Sequence, residues 1–286
     1  MVLATLLFVC VTGIVRYLGS DIPSMQAAFL RYLIGCFLVI PALLPLLRRP
    51  PNGFAMKLFA VRGLVHGAGV FLWFYAMARI PIAEVTAIGY TAPIFVTLGA
   101  WFFLGERLYA RRIAAVVIGL LGVLIILRPG FQEVQIGAFA QLLAAPLFAA
   151  SFLLAKRLTG LYRPGAIVAM LSIFCTLALL PGALLEWRDP TWEELAWLTL
   201  VAVFATAGHY ALTRAFDAAP LTVTQPLGFL QLIWASLLGI FAFGEALDPW
   251  VLLGGGIVVG AVTFISHREM KAARRLRTPT SIETKL

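Results

Sequence analysis

The chain has 286 residues, of which 62% are hydrophobic and only 12% are charged, with a net charge of +9. Soluble domains carry about twice that share of charged residues and ~45–50% apolar ones, so this composition excludes a soluble fold and favours a lipid bilayer. The basic excess is interpreted as loop charge that sets topology and contacts lipid headgroups, not as a nucleic-acid site.

Ten apolar runs predict an all-α integral membrane protein with ten transmembrane helices. A bilayer core about 30 Å thick needs ~20 apolar residues of helix, because backbone groups in lipid must bond within their own segment. The first run has no charged segment before it and no cleavage site, so we expect a span and not a signal peptide. In chain order the runs are Met1–Leu18, Met25–Leu47, Phe59–Ala78, Ala83–Leu104, Ile113–Leu127, Ile136–Ala155, Gly165–Leu185, Leu195–Ala215, Leu221–Phe243 and Pro249–Ser266.

The runs form two copies of one unit. Residues 81–106 recur without a gap as residues 220–245, an offset of 139, and seven of the 26 positions are identical. Outside this stretch, Phe8 and Arg16 align with Phe148 and Lys156 at an offset of 140. Self-similarity at a fixed period indicates an internal repeat.

Five spans per copy have a topological consequence. An odd number makes the second copy enter the membrane from the opposite side, which is typical of transporters. We therefore predict two inverted five-helix repeats, residues 1–128 and 129–266. A basic cytoplasmic tail, residues 267–286, follows them and is expected to be flexible.

Loop charges predict the orientation. With the C-terminus in the cytoplasm, 17 Lys and Arg residues lie on the cytoplasmic side and four lie outside, namely Arg16, Arg79, Arg128 and Arg188; Arg31 lies within the second run. The positive-inside rule favours this arrangement. We expect a multi-pass protein of the plasma membrane.

Particular residues resemble a known family. Each copy closes its fourth run on Gly-Glu, at Glu106 and Glu245, and a proline, Pro81 or Pro220, precedes the same run. With Arg31, these features resemble the drug/metabolite transporter superfamily of the EamA type across essentially the whole chain. In the second copy Leu171 stands where the first has Arg31, which is a departure from the pattern.

The resemblance implies a bacterial inner-membrane carrier that exports small metabolites, often amino acids. Among characterised members the chain most resembles the YddG-like exporters of aromatic and other amino acids. A carrier of nucleotide sugars or other metabolites from the same superfamily is the alternative. Nucleotide sugars should need several basic residues for their phosphates, and only Arg31 qualifies.

Polar and aromatic helix faces supply candidate substrate-binding residues, because positions i, i+4 and i+7 share a face. Hydroxyl and amide groups there have an alternative role in helix packing. Each histidine is either a neutral ring bonded to a neighbouring helix or a group that binds a carboxylate or carries a proton. The candidates are His66, Trp73, Thr86, Tyr90, His209, Tyr210, Gln225 and Phe229.

Charged residues near the span ends allow other interpretations. Arg31 either extends to the outer interface, with Asp21 as a partner, or binds a substrate carboxylate. Glu106 and Glu245 end helices and are expected to bond neighbouring backbone. No Asp or Glu lies at the middle of a span, which favours facilitated transport over a carboxylate proton relay, although a histidine relay stays open.

Catalytic and cofactor-binding patterns are missing from the sequence. Cys10, Cys36 and Cys175 each lie within an apolar run and have no metal-site spacing, so packing without disulfides is expected. The sequence contains no arrangement of a nucleophile with a base that would indicate an enzyme. Neither a cofactor nor a metal is predicted. The expected partners are a small-molecule substrate and the bilayer. A non-transporting scaffold is the remaining class, and a monomer is the working assumption.

Overall fold

Apolar runs in this chain fold as helices, since a helix satisfies its own backbone hydrogen bonds without water. The computed structural model describes residues 1–48, 50–92, 94–95, 98–99, 110–128, 134–219, 227–228, 230–246 and 248–277. The predicted all-α class is confirmed. Within these residues the helices are α1 (Val2–Leu18), α2 (Ser24–Leu38), α3 (Ile40–Arg48), α4 (Gly53–Met77), α5 (Ile82–Gly89), α6 (Ala110–Leu127), α7 (Ile136–Thr159), α8 (Pro164–Leu185), α9 (Trp192–Ala218), α10 (Leu230–Phe243) and α11 (Pro249–Arg277).

Helix length separates two groups among the described residues. Four helices, α4, α7, α8 and α9, have 22–27 residues and are apolar enough to cross a bilayer on their own. The apolar helices α1, α2 and α10, with the apolar parts of α6 and α11, have 10–17 residues. The protein is therefore a multi-span helical membrane protein.

The second predicted run is two helices instead of one. Helix α2 ends at Leu38 and α3 begins at Ile40, with Val39 between them. Pro41 has no N–H to donate to the Phe37 carbonyl and its ring crowds that group, which favours a break in the helix at this point. The chain resumes with a hydrogen bond from Ala42 N to Val39 O at 2.9 Å.

The predicted start of α4 and the predicted end of α11 were wrong. Helix α4 begins at Gly53, earlier than the predicted Phe59, because the side chain of Asn52 accepts a hydrogen bond from Ala55 N at 2.8 Å and caps the helix. Helix α11 continues to Arg277, so residues 267–277 of the predicted flexible tail are helical. Alanine, arginine, lysine and methionine in this stretch favour helix.

The packing of the helices follows the internal repeat. Helices α2 and α8 are repeat partners and pack on each other, as do α6 and α11. Helix α1 packs on α9, and its counterpart pair, α4 and α7, also packs together. Cys36 Sγ and Thr176 Oγ1, 140 positions apart, lie 3.5 Å from each other where α2 meets α8. The two halves are therefore interlocked and not placed side by side.

The link between α8 and α9 is bound to the start of α2. Gln26 donates to Arg188 O at 2.5 Å and accepts from Arg188 N at 3.2 Å. The Arg188 guanidinium donates to Asp21 O and pairs with Glu194. Its hydrogen bond to the Glu194 carboxylate raises the pKa of Arg188 above its usual range. Arg188 thus lies at the same end of the bundle as the α1–α2 link.

Helices α6 and α11 approach each other closely through glycine. A Cβ atom added to Gly254 would lie 2.5 Å from the carbonyl oxygen of Gly122 and 2.6 Å from Ile126 Cγ1. Small residues at a membrane helix interface allow such close backbone approach. The absence of a side chain at residue 254 is therefore a packing requirement.

Gly254→Ala is expected to lower the free energy of unfolding by about 1–3 kcal/mol, the usual range for overpacking, because backbone atoms cannot rotate away. Gly256→Ala is the matched control, since an added Cβ there meets nothing within 4 Å. Thermal unfolding of both variants in one detergent measures the difference. Equal melting temperatures would contradict the close contact between α6 and α11.

Candidate substrate cavity

A cavity of about 220 Å³ is lined by residues from both copies of the repeat. Helices α1, α2, α4, α7, α9 and α10 contribute to it. Its wall is mainly aromatic and aliphatic, and the described lining contains no carboxylate. The lining residues are Met1, Ala4, Thr5, Phe8, Val11, Thr12, Arg31, His66, Val70, Trp73, Phe74, Tyr90, Phe148, Phe152, Ala205, His209, Leu212, Phe216, Gly228 and Gln231.

Two repeat-related helices supply much of the aromatic wall. Phe8 on α1 and Phe148 on α7 are equivalent residues, and both line the cavity. The rings of Phe148 and Phe152 are stacked with centroids 6.3 Å apart. Aromatic side chains bind apolar and ring-shaped groups by burial and by stacking or edge contacts. This wall suits the apolar body of a substrate.

Threonine hydroxyls on α1 add acceptors to the wall. Thr5 Oγ1 donates to Val2 O at 2.7 Å, and Thr12 Oγ1 donates to Phe8 O at 2.9 Å. Each hydroxyl has therefore used its one hydrogen within its own helix. Lone pairs remain on both oxygens, so each can accept a further hydrogen bond.

Arg31 on α2 brings a buried positive charge to the cavity. The residue is 5% exposed, and its Nη1 is buried without a hydrogen-bond partner among the described residues. Its guanidinium carbon lies 3.9 Å from the centroid of the Tyr32 ring. No described carboxylate forms an ion pair with it. Buried charges are normally paired, so this cation can receive an anion or an acceptor from a bound ligand.

Two histidines from different helices meet in the same wall. The ring centroids of His66 on α4 and His209 on α9 lie 5.0 Å apart in an edge-to-face arrangement. His66 is 1% exposed, and neither of its ring nitrogens has a partner among the described residues. Phe8 packs against His209, and Phe148 packs against His66. A neutral imidazole offers one donor and one acceptor, so the unpartnered ring of His66 can bond a ligand.

Tyr90 connects the two copies across the cavity. Its hydroxyl donates to the carbonyl oxygen of Gly228 at 2.5 Å. Tyr90 follows α5 in the first copy, whereas Gly228 precedes α10 in the second. The bond therefore connects residues 81–106 with their repeat, residues 220–245. The ring of Tyr90 forms part of the cavity wall.

The structure brings four of the eight predicted site residues together in this cavity: His66, Trp73, Tyr90 and His209. Thr86 is half-buried, outside the lining, and its hydroxyl donates to Ile82 O at 2.8 Å. Tyr210 is also outside the lining, and 45% of its surface is exposed. Gln225 and Phe229 lie outside the described residues.

Sequence reasoning left two interpretations of Arg31 open and missed several lining residues. Burial of Arg31 in the cavity wall contradicts a position at the outer interface or beside Asp21, and it is compatible with binding of a substrate carboxylate. Thr5, Thr12 and Gln231 were not proposed. The repeat alignment of Phe8 with Phe148 was a usable signal, because carrier sites lie at the interface between the repeats and both copies contribute residues to them.

A polar network lies one helical turn beyond Thr12. Arg16 donates to Met77 O at 3.0 Å and to Ile80 O at 3.3 Å, and forms an ion pair with Glu245 at 2.9 Å. Glu245 also accepts a hydrogen bond from Ile82 N at 2.9 Å. Glu245 was expected to bond neighbouring backbone, and it does so at Ile82 N in the first turn of α5. Its ion pair with Arg16 was not expected, and it also joins the end of α10 to α1.

The second copy repeats the same hydrogen bonds. Lys156 is equivalent to Arg16, and its Nζ donates to Phe216 O and, at 3.3 Å, to Ala219 O. Phe216 and Ala219 stand 139 positions after Met77 and Ile80. Both halves thus bind a cation to the carbonyl groups at the end of a long helix. The counterpart of Glu245, Glu106, lies outside the described residues.

An apolar cavity with a few buried donors, built between two repeat-related halves of a multi-span helical protein, is the arrangement of a membrane carrier. Residues 1–128 and 135–267 match the model of the EamA-like transporter family. The chain belongs to this family and is a membrane transporter. Family members and named relatives are transporters and not enzymes.

Curated relatives cover nearly the whole chain. The riboflavin transporter of Rhizobium johnstonii is 32% identical over 282 residues, which cover 96% of this chain and 92% of that protein. The S-adenosylmethionine uptake transporter of Rickettsia bellii is 26% identical, and the alignment covers 90% of this chain and 88% of that protein. The pseudopaline exporter CntI of Pseudomonas aeruginosa is 26% identical, and the alignment covers 93% of this chain and 94% of that protein.

A solved structure has the same fold. It carries only the description "Crystal structure of protein" and aligns with a TM-score of 0.58 at 20% identity. The alignment covers 96% of this chain and 99% of the other chain. At this level of identity the likeness concerns the fold alone.

Proposed function

We propose that this carrier moves a compact metabolite that combines an aromatic or other apolar body with an anionic or hydrogen-bond-accepting group. The observation that carries the proposal is the buried, unpartnered Nη1 of Arg31 within a largely aromatic wall. A guanidinium pairs with carboxylates through two parallel hydrogen bonds. The rings of Trp73 and Phe148 offer an apolar surface to the rest of the molecule.

Amino acids, including aromatic and hydrophobic ones, are the first candidate substrates. Their carboxylate suits Arg31, and their ammonium group can donate to the free lone pairs of Thr5 and Thr12. The cavity of about 220 Å³ is smaller than the ~300–1,000 Å³ usual for drug-sized ligands, which favours a compact substrate. Export is the direction expected from the family resemblance.

Riboflavin is the second candidate, and the Rhizobium johnstonii relative favours it. That protein is 32% identical to this chain, and the alignment covers 96% of this chain. A flavin offers a flat aromatic system to the phenylalanine rings and carbonyl oxygens to Arg31. It is larger than an amino acid, so its binding requires a wider cavity than the present one.

Cationic and multiply phosphorylated substrates fit less well. S-adenosylmethionine carries a sulfonium cation, and the described lining has a buried arginine but no carboxylate to receive it. A nucleotide sugar has two phosphates, for which a set of basic side chains is needed. Within the described lining Arg31 is the single arginine or lysine.

Transport is proposed to proceed by alternating access, with the two copies moving around the cavity. The domain division into residues 1–128 and 129–266, with a basic tail 267–286, is part of the proposal. Its support is the separate family matches, 1–128 and 135–267. The relatives include one named for uptake and one named for export.

The cytoplasmic C-terminus is also part of the proposal. The loop charges support it. Contacts among the described residues keep the four arginines assigned to the outside near one end of the bundle. Arg16 bonds Ile80 O beside Arg79, Arg128 pairs with Asp248 in the link before α11, and Arg188 bonds Asp21 O after α1.

Counterflow in liposomes that contain the purified protein tests the proposal. We expect saturable exchange of tryptophan, phenylalanine or riboflavin, and at least tenfold weaker exchange of S-adenosylmethionine. The absence of mid-span carboxylates predicts exchange that is independent of a pH gradient. Preferred exchange of S-adenosylmethionine, or no exchange of any of these compounds by folded protein, would refute the proposal.

A further inference from the structure

A second buried arginine lies behind the cavity wall. Arg62 precedes His66 by one turn of α4, is 3% exposed and is not part of the lining. Its Nη1 donates to Ile167 O at 3.1 Å, and its Nε is buried without a partner among the described residues. Residues i and i+4 share a helix face, so Arg62 lies on the face of α4 that presents His66 to the cavity.

The neighbours of Arg62 do not neutralise its charge. Tyr32, whose ring lies 3.9 Å from the Arg31 guanidinium, interacts electrostatically with both arginines. Cys175, which donates to Gly63 O at 3.3 Å, and the two cavity histidines, His66 and His209, are the other titratable neighbours of Arg62. Phenol and thiol groups are ordinarily uncharged at neutral pH. No described carboxylate forms an ion pair with Arg62.

Two arginines therefore act on one apolar cavity, but in different ways. Arg31 lines the cavity and can touch a ligand. Arg62 can act only through space, and its field reaches far because the surrounding helices have a low dielectric constant and exclude water. Such a field stabilises an anion in the cavity and destabilises a cation. The effect depends on the charge of the ligand and not on the structure of its apolar part.

We propose that Arg62 is a specificity-determining residue that selects substrates of zero or negative net charge without contacting them. This inference rests on the proposed function, since it requires a ligand in the cavity. It adds the net charge of the substrate to the proposal. It also gives a role to Arg62, because Arg31 alone is enough to bind one acceptor group of a ligand.

Three ligands that share an indole ring and differ in charge test the role of Arg62. They are indole-3-propionate, an anion; tryptophan, a zwitterion; and tryptamine, a cation. Calorimetric titration of the full chain in lipid nanodiscs gives a dissociation constant for each. We expect the wild type to bind the anion at least tenfold more tightly than the cation, with tryptophan between them.

Substitutions at Arg62 separate charge from packing. Arg62→Gln retains a donor for Ile167 O and removes the charge, so the preference for the anion over the cation should fall about tenfold. Arg62→Lys retains the charge and should preserve the preference. Arg62→Met is a second neutral variant, to be used if the glutamine variant unfolds.

The outcomes distinguish this inference from the proposed function. An unchanged ratio of the two dissociation constants in a folded neutral variant overturns the role of Arg62 alone. A wild type that binds tryptamine as tightly as indole-3-propionate overturns it as well. If none of the three ligands binds and no aromatic substrate is exchanged, the proposed function fails and this inference fails with it.

Discussion

Replacing Arg31 with methionine is expected to raise the KM for exchange of an aromatic amino acid about 10–100-fold. A hydrogen bond to a charged group contributes about 1.5–3 kcal/mol, and each 1.4 kcal/mol is a factor of ten in affinity. Arg31 lines the cavity and its buried Nη1 has no partner among the described residues, so a ligand carboxylate that reached it would gain the full bond. Counterflow kinetics in liposomes measure the change.

The same substitution should leave the thermal stability of the protein unchanged or increase it, although it weakens transport. Without a ligand the charge of Arg31 is buried and unpaired among the described residues, and replacing such a charge with an apolar group of similar length is often stabilising. We expect Arg31→Met to melt at the same temperature as the wild type or at a higher one. A purely structural arginine would instead lose stability together with transport.

Two further variants control the Arg31 experiment. Arg31→Lys retains the charge but loses the planar fork, so an intermediate KM is expected. Arg79→Met applies the same substitution to an exposed arginine that stacks on Tyr75 and does not line the cavity, and it should leave the KM unchanged. An unaltered KM in folded Arg31→Met would show that the substrate does not bind this residue.

Loss of the Glu245 carboxylate is expected to open the end of the cavity that lies beyond Thr12. The carboxylate pairs with Arg16 at 2.9 Å and accepts from Ile82 N, so Glu245→Gln weakens the links from α10 to both α1 and α5. Couplings of about 1–3 kcal/mol shift a conformational equilibrium about 5–150-fold. We expect the state that is open at this end to gain population by such a factor.

Cysteine accessibility measures this opening. In a background without the three native cysteines, Thr12→Cys places a thiol one turn below Arg16, where the wild-type residue is buried. A membrane-impermeant maleimide added from the Arg16 side should label it at least about fivefold faster when Glu245→Gln is present. Equal labelling rates would contradict a closing role for the ion pair.

The chain itself supplies a control for the Arg16 network. At the equivalent position the second copy has Lys156, which makes the same two carbonyl bonds. Arg16→Lys should therefore retain slow labelling of the thiol at position 12, whereas Arg16→Met should behave like Glu245→Gln. Fast labelling of the lysine variant would mean that the fork of the guanidinium, and not its charge, keeps this end closed.

Much of the fold was predictable, because hydropathy and repetition are local and periodic properties. The run beginning at Ile136 and the run ending at Leu127 were predicted at the observed bounds of α7 and α6. The break at Val39 was not predicted, although Pro41 was a visible signal for it. Helix bounds were wrong where a side-chain cap, as at Asn52, extended the helix.

The site was only partly predictable. His66 and Trp73 were selected because they share a face of one helix, and both line the cavity. The same rule selected Tyr210, whose side chain is 45% exposed. Helical periodicity groups residues on a face, but it does not state whether that face meets lipid, another helix or a cavity.

The sequence by itself determined the class of solvent, the helical fold and the repeat of 139–140 positions, because these depend on composition, length and internal similarity. Only the tertiary structure decided the surroundings of Arg31, Arg62 and Glu245. Their neighbours are Tyr32, the carbonyl group of Ile167, and Arg16 with Ile82 N. Except for Tyr32, these partners are more than 100 positions away along the chain, and the packing of whole helices sets such contacts.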